Sequence, residues 1–233
     1  MNVKKLTILK KTASFIFYVG AVLFAVFLLY LVIDPGSVVG PGAILLLSLA
    51  ICGALYLGAL LRAGTLDDPD KRRKTVRVTL WIMFIYYAAV LACLLFFASA
   101  FGRGLPTING SIDSSYLRMK TNFIPFKTIA GYCSDLLHGN PNIFIVDILG
   151  NIAAFAPMAF FIPILFPKFK SARKFLILMA IIIVFVEGAQ LLFAVGFCDV
   201  DDLILNLSGA AATFFILKLK RFQNMLMKLE SQK

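Results

Sequence analysis

Charged residues are scarce in this chain. Only 15% of its 233 residues are Asp, Glu, Lys or Arg, while 61% are hydrophobic, and the mean hydropathy is +0.91. A soluble domain of this size would have about a quarter of its residues charged. The composition therefore excludes an ordinary soluble protein and predicts an all-α, polytopic membrane protein.

Residue types and motifs that commonly build enzyme sites are also scarce. The chain has one histidine, His138, and four cysteines whose positions fit no metal-binding spacing. It contains no serine nucleophile elbow, no HExxH zinc motif and no phosphate-binding loop. We therefore expect no bound metal and no cofactor. Cys133 and Cys198 both fall in segments predicted to be external, where a disulfide and two free thiols are both chemically acceptable.

The excess of positive charge does not indicate a nucleic-acid partner. The net charge is +11, but Lys and Arg cluster in alternate loops, namely residues 1–11, 62–77, 167–174 and the C-terminal tail. This alternation is what the positive-inside rule demands of a membrane protein. It predicts that both termini are cytoplasmic. We interpret the charge run at 62–77 as a solvated cytoplasmic loop and not as a binding patch.

Six apolar runs predict the membrane topology. The last run has only 15 residues, and since a spanning helix needs about 20, the helix must begin at or before Asp202. We predict a bundle of six transmembrane helices, with a long external loop, residues 102–142, between helices 3 and 4. The six runs are residues 12–33, 42–61, 78–101, 143–166, 175–198 and 203–217.

The chain is expected to divide into three parts. Residues 1–75 form a two-helix membrane anchor with its basic loop, residues 76–217 a membrane domain, and residues 218–233 a basic cytoplasmic tail. The first apolar run is long enough to span the membrane and lacks a small-residue cleavage site, so we interpret it as a retained helix and not as a signal peptide.

Acidic and amide residues recur at one depth on the last three predicted helices. Several are spaced three or four residues apart and so share a helix face. Ionisable side chains in spanning helices usually face the bundle interior or a water-filled cavity. The pattern predicts an acidic, amide-rich pocket that opens to the external side. Its predicted members are Asp147, Asn151, Glu187, Gln190, Asp199, Asp201, Asp202 and Asn206.

Each of these residues also has a purely structural interpretation. Asp201 or Asp202 could cap the sixth helix and stabilise the positive end of its dipole. The amides of Asn151, Gln190 and Asn206 could link neighbouring helices by hydrogen bonds. Glu187 could be protonated within an apolar bundle. The sequence leaves these alternatives open for each residue.

Four short motifs along residues 76–217 resemble the VanZ-like family of bacterial membrane proteins, which is named for a teicoplanin-resistance protein. The resemblance implies a place in the bacterial cell membrane and a role in tolerance to glycopeptide antibiotics. The motifs are Asn122-x-x-Pro125-Phe126, Asn151-x-x-x-Phe155-x-Pro157, Glu187-x-x-Gln190 and Asp199-x-x-Asp202-x-x-x-Asn206-x-x-Gly209.

One departure from the family pattern concerns the carboxylates directly. The family often has an arginine just before the Asp-rich turn, where this chain has Gly196-Phe197-Cys198. Such an arginine would be a natural partner for the acidic residues. Arg118 or Lys127, in the long loop, could take its place.

The first candidate function is binding of an envelope ligand, either a lipid-linked cell-wall precursor or the lipoglycopeptide itself. Carboxylate and amide groups would bond the ligand's polar groups, while Phe123 and Phe126 would contact an acyl chain. The expected partners are thus this ligand and the lipid bilayer. The candidate ligand-binding residues are Asn122, Pro125, Phe126, Asp147, Asn151, Glu187, Gln190, Asp199, Asp202 and Asn206.

The second candidate is a membrane-embedded enzyme acting on a lipid-linked cell-wall precursor. Glu187, Asp199 and Asp202 would serve as general acid or base, or would hold a divalent cation on the substrate. A third candidate, a small transporter, is less favoured because the polar residues gather on one side only and no inverted repeat is evident.

Overall fold

The computed structural model describes residues 3–34, 40–97, 114–139 and 145–219. The chain folds into two compact units, Met1–Gly102 and Arg103–Lys233. The C-terminal tail beyond residue 219, and residues 102–113 and 140–142 of the long loop, lie outside the described ranges. The expected three-part division of the chain stays a prediction.

The first unit consists of three long helices that pack against one another: α1 (Val3–Ile33), α2 (Pro41–Ala63) and α3 (Pro69–Phe96). Proline at the first helical position suits α2 and α3, because its missing N–H needs no partner there. The Asp68 side chain caps α3 by accepting hydrogen bonds from the backbone N–H groups of Asp70 and Lys71.

The second unit holds shorter elements and two long helices. A π-helical turn, Ile145–Leu149, precedes helix α6 (Gly150–Ala154), and a 3₁₀ turn, Pro167–Phe169, follows helix α7 (Met158–Leu165). The two short strands pair in parallel and place Asn122 opposite Asp199. The other elements are α4 (Ser114–Lys120), β1 (Thr121–Asn122), α5 (Lys127–Leu137), α6 (Gly150–Ala154), α7 (Met158–Leu165), α8 (Ala172–Leu192), β2 (Cys198–Asp199) and α9 (Val200–Lys218).

Within the described ranges, six helical segments are long and apolar enough to cross a membrane, which confirms the predicted all-α fold with six spanning segments. The last helix begins at Val200, before Asp202, as its short apolar run required. The chain is a multi-pass membrane protein. The six spans are Lys4–Val32, Leu46–Ala63, Pro69–Phe96, Asp147–Leu165, Ala172–Leu192 and Val200–Lys218.

Two parts of the second unit differ in detail from the sequence expectation. The fourth span is not one regular helix, because it starts with the π-helical turn and is interrupted at Phe155–Pro157. Proline cannot donate the backbone hydrogen bond that a continuous helix requires. The loop between the third and fourth spans is also not irregular throughout, since α4, β1 and α5 lie within it.

Helix α9 forms the centre of the second unit, where it packs against α6, α7 and α8. Phe175 of α8 and Phe214 of α9 are both buried, and their rings stack with centroids 4.5 Å apart. Gly209 packs directly on the backbone of Ile152, so closely that a Cβ at this position would overlap the Ile152 carbonyl group. This close approach brings the start of α9 next to α6, where the polar residues lie.

Candidate functional site

Asp199 is the residue that caps α9. Its Oδ1 accepts a hydrogen bond from the backbone N–H of Asp201 at 2.8 Å, and its backbone is extended, as an N-cap requires. The sequence suggested Asp201 or Asp202 as the cap, but both lie inside the first turn of the helix. Their side chains are therefore available for other contacts.

The Asp201 carboxylate caps a different helix, α5. Its Oδ1 accepts a hydrogen bond from the N–H of Phe126 at 2.5 Å, and its Oδ2 accepts from the N–H groups of Thr128 and Ile129 at 2.8 and 3.1 Å. Asp201 is 0% exposed. A carboxylate in this position satisfies backbone donors that α5 cannot satisfy itself and interacts favourably with the helix dipole.

Phe126 at the N-terminus of α5 needs this support. It has a left-handed backbone conformation, with φ of 66°, which is uncommon for a residue other than glycine. Its side chain cannot cap the helix, and the Asp201 carboxylate supplies the missing acceptor. The Asn122-x-x-Pro125-Phe126 motif thus encodes a sharp turn that is held by a residue 75 positions later.

Asn122 and Thr128 attach the same segment to Asp199. Asn122 Nδ2 donates to Asp199 Oδ1 at 3.0 Å, and Thr128 Oγ1 donates to Asp199 Oδ2 at 2.6 Å. Asn122 Oδ1 also accepts from the N–H of Ile124, closing a tight local turn. Both oxygens of the Asp199 carboxylate are therefore engaged within the protein.

Asp202 and Asn206 lie one turn apart on the side of α9 that meets α6. Asn151 Nδ2 donates to Asp202 Oδ1 at 2.6 Å, which links the two helices. Asn206 Nδ2 donates to the backbone carbonyl of Asp202 at 2.8 Å. Asn206 is only 3% exposed, and its Oδ1 accepts no hydrogen bond from the described part of the chain.

Glu187 and Gln190 are buried on α8, close to the cap of α9. Glu187 Oε2 accepts a long hydrogen bond, 3.4 Å, from the backbone N–H of Asp199. Gln190 lies one turn further along the same face, and its backbone carbonyl accepts from the N–H of Val195 at 3.1 Å. All three helices named in the sequence analysis thus contribute polar groups around the start of α9.

We refer to Asp147, Asn151, Glu187, Gln190, Asp199, Asp201, Asp202 and Asn206, together with Asn122 and Thr128, as the polar cluster. Within the described ranges, no three His, Cys, Asp or Glu side chains are arranged to hold a metal ion. Whether the cluster binds a ligand stays a prediction.

Burial and the negative charge of the polar cluster raise the pKa of two neighbouring side chains, Tyr132 and Cys198. Burial raises the pKa of the Tyr132 phenol above its ordinary value, and the charges of Asp147 and Asp202 raise it further. Burial likewise raises the pKa of the Cys198 thiol, with a further contribution from Glu187. Tyr132 is therefore a neutral phenol, and Cys198 a neutral thiol, beside the carboxylates at pH 7.

The turn between β1 and α5 carries exposed apolar side chains beside the polar cluster. Phe123, Ile124 and Phe126 are 71%, 62% and 62% exposed, and Pro125 is exposed between them. Since the backbone of Phe126 is bonded to Asp201, these side chains project from a segment fixed to the cluster.

Arg118 and Lys127 do not replace the missing arginine in the described part of the long loop. Among the described residues, neither Arg118 nor Lys127 forms an ion pair with a carboxylate. Lys120 instead lies over the ring of Phe197, with Nζ 4.1 Å from the ring centroid. The Asp201 carboxylate is bonded by backbone N–H groups in place of the basic side chain that the sequence led us to expect.

Cys133 and Cys198, the two cysteines that could have paired, form no disulfide in the structure. Cys133 is exposed on α5 and Cys198 is half-buried in β2, and both are free thiols. The sequence left a disulfide between them open, and no such bond is present in the described part of the chain.

Sequence reasoning missed Thr128 and Tyr132 as neighbours of the cluster and did not foresee the partner of Asp201. Thr128 lies two residues after Phe126, the last residue of the Asn122 motif, and Tyr132 lies one turn further along α5. A helical reading of residues 127–137 would have placed both near the turn. Nothing local indicates that Asp201 bonds to this helix.

A family model described as VanZ-LLP1: VanZ/LLP1 matches residues 84–221, which is more than half of the chain and includes every residue of the polar cluster. No curated protein and no solved structure matches the chain.

Proposed function

The chain belongs to the VanZ/LLP1 family, and we propose that it binds an amphiphilic ligand of the bacterial envelope at the polar cluster. By this binding it contributes to tolerance of lipoglycopeptides such as teicoplanin. The proposal places the protein in the bacterial cell membrane, with both termini cytoplasmic and the polar cluster on the external side, as the distribution of Lys and Arg favours.

The observation that carries the proposal is the buried acceptor at Asn206. An acceptor that is removed from water without a donor costs about 1–3 kcal/mol. Asn206 Oδ1 has no donor among the described residues, and the half-buried Asp202 carboxylate lies one turn nearer the end of the helix. A ligand whose N–H, O–H or ammonium group passes Asp202 and donates a hydrogen bond to Asn206 Oδ1 would remove this energetic cost.

The exposed apolar turn supports an amphiphilic ligand over a purely polar one. Phe123, Ile124 and Phe126 form an apolar surface on the segment that Asp199 and Asp201 fix in place. An acyl chain or lipid tail would cover this surface. Lipid-linked cell-wall precursors and lipoglycopeptides both combine such a chain with amide, hydroxyl or ammonium donors.

The test compares wild type with Asp202→Asn and Asn206→Leu in a susceptible Gram-positive host. Asp202→Asn removes the charge but keeps an oxygen that can accept from Asn151, and Asn206→Leu removes the unsatisfied acceptor. Ser208→Ala, at an exposed position of α9, is the matched control. Minimal inhibitory concentrations of teicoplanin and of vancomycin, which lacks the acyl chain, would be measured after membrane levels are equalised.

We expect wild type and Ser208→Ala to raise tolerance to teicoplanin more than to vancomycin, and the two cluster variants to lose that gain. Purified protein should show a rise in melting temperature with teicoplanin that both cluster variants lack. If expression of the wild type does not raise tolerance to teicoplanin, and teicoplanin does not raise the melting temperature of the purified wild type, the ligand proposal is wrong.

The catalytic alternative has weaker support from the geometry. Asp199, one of its candidate residues, accepts hydrogen bonds from Asn122, Thr128 and the N–H of Asp201, which favours a structural role over acid or base catalysis. Glu187→Gln distinguishes the two functions. An enzyme would turn over its substrate as wild type and would lose this turnover in Glu187→Gln while ligand-induced stabilisation remains, whereas a binding protein shows no turnover in either form.

A further inference from the structure

A groove in the first unit combines a cationic end with an apolar wall. It lies between α1, α2 and α3 and has a volume of about 600 Å³. The family model begins at residue 84, so the groove lies outside the matched region. Its basic end is lined by Arg62, Lys71 and Lys74, and its apolar wall includes Val22, Val78 and Ile82.

On α2 and α3, the lining residues change from basic to apolar in the same direction. Arg62 lies in the last turn of α2, two turns from the apolar Leu55. On α3, Lys74 lies in the second turn, and Ile82 lies eight residues further, about 12 Å along the axis. On α1, Val22 lies one turn deeper than Tyr18. The groove is therefore amphipathic along its length.

The length of α3 sets the depth of these residues in the membrane. The helix has 28 residues and is about 42 Å long, which exceeds the roughly 30 Å of the hydrocarbon layer. Its polar first turns, which carry Lys71 and Lys74, therefore lie at the level of the lipid headgroups. Val78 and Ile82 lie one to two turns deeper, at the level of the acyl chains.

The positive charge at this end is only partly neutralised. Lys71 forms a 3.8 Å ion pair with Asp68, and both side chains are well exposed, so the pair is weak. Arg62 and Lys74 are exposed and have no carboxylate partner within the described ranges. In the sequence, residues 62–77 hold six Lys or Arg and three Asp, which leaves a net positive charge.

We propose that this groove binds an anionic phospholipid of the cytoplasmic leaflet, with its phosphate between Arg62, Lys71 and Lys74 and one acyl chain along Val22, Val78 and Ile82. The positive-inside rule assigns this end of the helices to the cytoplasm, where anionic lipids are attracted by basic juxtamembrane segments. The charge run that sequence reasoning treated as merely solvated thus supplies a lipid site.

The chain offers a matched pair of double variants for the test. Arg62→Gln with Lys74→Gln removes two charges that line the groove, and Arg73→Gln with Arg77→Gln removes two exposed charges of the same segment that do not line it. Within the described ranges, the side chains of Arg62 and Lys74 form no hydrogen bond or ion pair that the substitution would break, so the groove variant should keep the melting temperature of the wild type.

Binding of the purified full chain to phosphatidylglycerol and to phosphatidylcholine with the same acyl chains would be measured by native mass spectrometry. We expect wild type to prefer phosphatidylglycerol, and the groove variant to lose about tenfold to thirtyfold of that affinity, from roughly a threefold to fivefold contribution per basic residue. The control variant should keep most of it, and binding of phosphatidylcholine should not change.

Three outcomes would overturn the proposal. Equal losses in both double variants would mean that phosphatidylglycerol responds to the overall charge and not to the groove. No loss in the groove variant would mean that the lipid binds elsewhere. Inorganic phosphate that binds the wild type as tightly as phosphatidylglycerol would mean that the acyl chain makes no contribution.

Discussion

The bond between Asp201 and the N-terminus of α5 makes a sharp quantitative prediction. In Asp201→Asn, one carboxylate oxygen becomes an NH₂ group of the same size. The remaining oxygen can accept from Thr128 and Ile129, which leaves the N–H of Phe126 facing another donor, or it can accept from Phe126 and leave the other two unsatisfied. In either orientation at least one backbone donor loses its acceptor.

The size of the effect follows from two losses. One unsatisfied donor costs about 1–3 kcal/mol. Removal of a negative charge from the N-terminus of α5 costs roughly 0.3–1 kcal/mol at an exposed site and up to about 2 kcal/mol at a partly buried one. We expect the substitution to weaken the attachment of the turn and of α5 by about 2–4 kcal/mol, which corresponds to a roughly 30- to 1,000-fold rise in local opening.

Hydrogen exchange of the amides at residues 126–129, measured by mass spectrometry in nanodiscs, reports this opening directly. Asp202→Asn is the matched control, because it removes the same charge from the adjacent position but leaves the contacts of Asp201 with α5 intact. If exchange at 126–129 is unchanged in Asp201→Asn, or rises equally in Asp202→Asn, the assignment of Asp201 as the cap of α5 is refuted.

Two other predictions concern the same unit. Gly209→Ala should lower the melting temperature by an amount equivalent to about 1–3 kcal/mol, because the added Cβ would overlap the backbone against which Gly209 packs. Gly188→Ala on α8, where a Cβ meets nothing within 4 Å, should leave the melting temperature unchanged. Equal effects of the two substitutions would contradict the close packing of Gly209. In a Cys133→Ser background, Asp202→Asn should lower the pKa of the Cys198 thiol, because removal of a nearby negative charge favours the thiolate. Alkylation of Cys198 at pH 8 should therefore become faster. An unchanged alkylation rate would mean that the charge of the polar cluster does not affect this thiol.

Much of the fold could be predicted from the sequence because hydropathy and charge act locally. An uninterrupted apolar run of about 20 residues has few alternatives to a spanning helix. The 15-residue final run even required the helix to start near Asp202, and it starts at Val200. Helical spacing then placed Asp202 and Asn206 on one face, where Asn206 bonds to the backbone of Asp202.

The contacts of the long loop could not be predicted in the same way. Its helix α5 is short and ends in exposed apolar residues, and no periodic pattern over so few residues distinguishes it from an irregular loop. The parallel pairing of β1 with β2 involves two residues on each strand, separated by more than 70 positions in the chain. Such a contact depends on tertiary packing and leaves no local signal.

The geometry also divides the polar residues of α9 and its cap into two groups that the sequence treated alike. Asp199 and Asp201 accept hydrogen bonds from the described chain on both carboxylate oxygens, so they hold the turn and the two helix starts together. Asn206 Oδ1, by contrast, accepts none from the described residues, and it lies below the half-buried Asp202. Substitutions in the first group should therefore reduce folding and function together. Those at Asp202 and Asn206 should reduce function while the turn and α5 keep their protection from exchange.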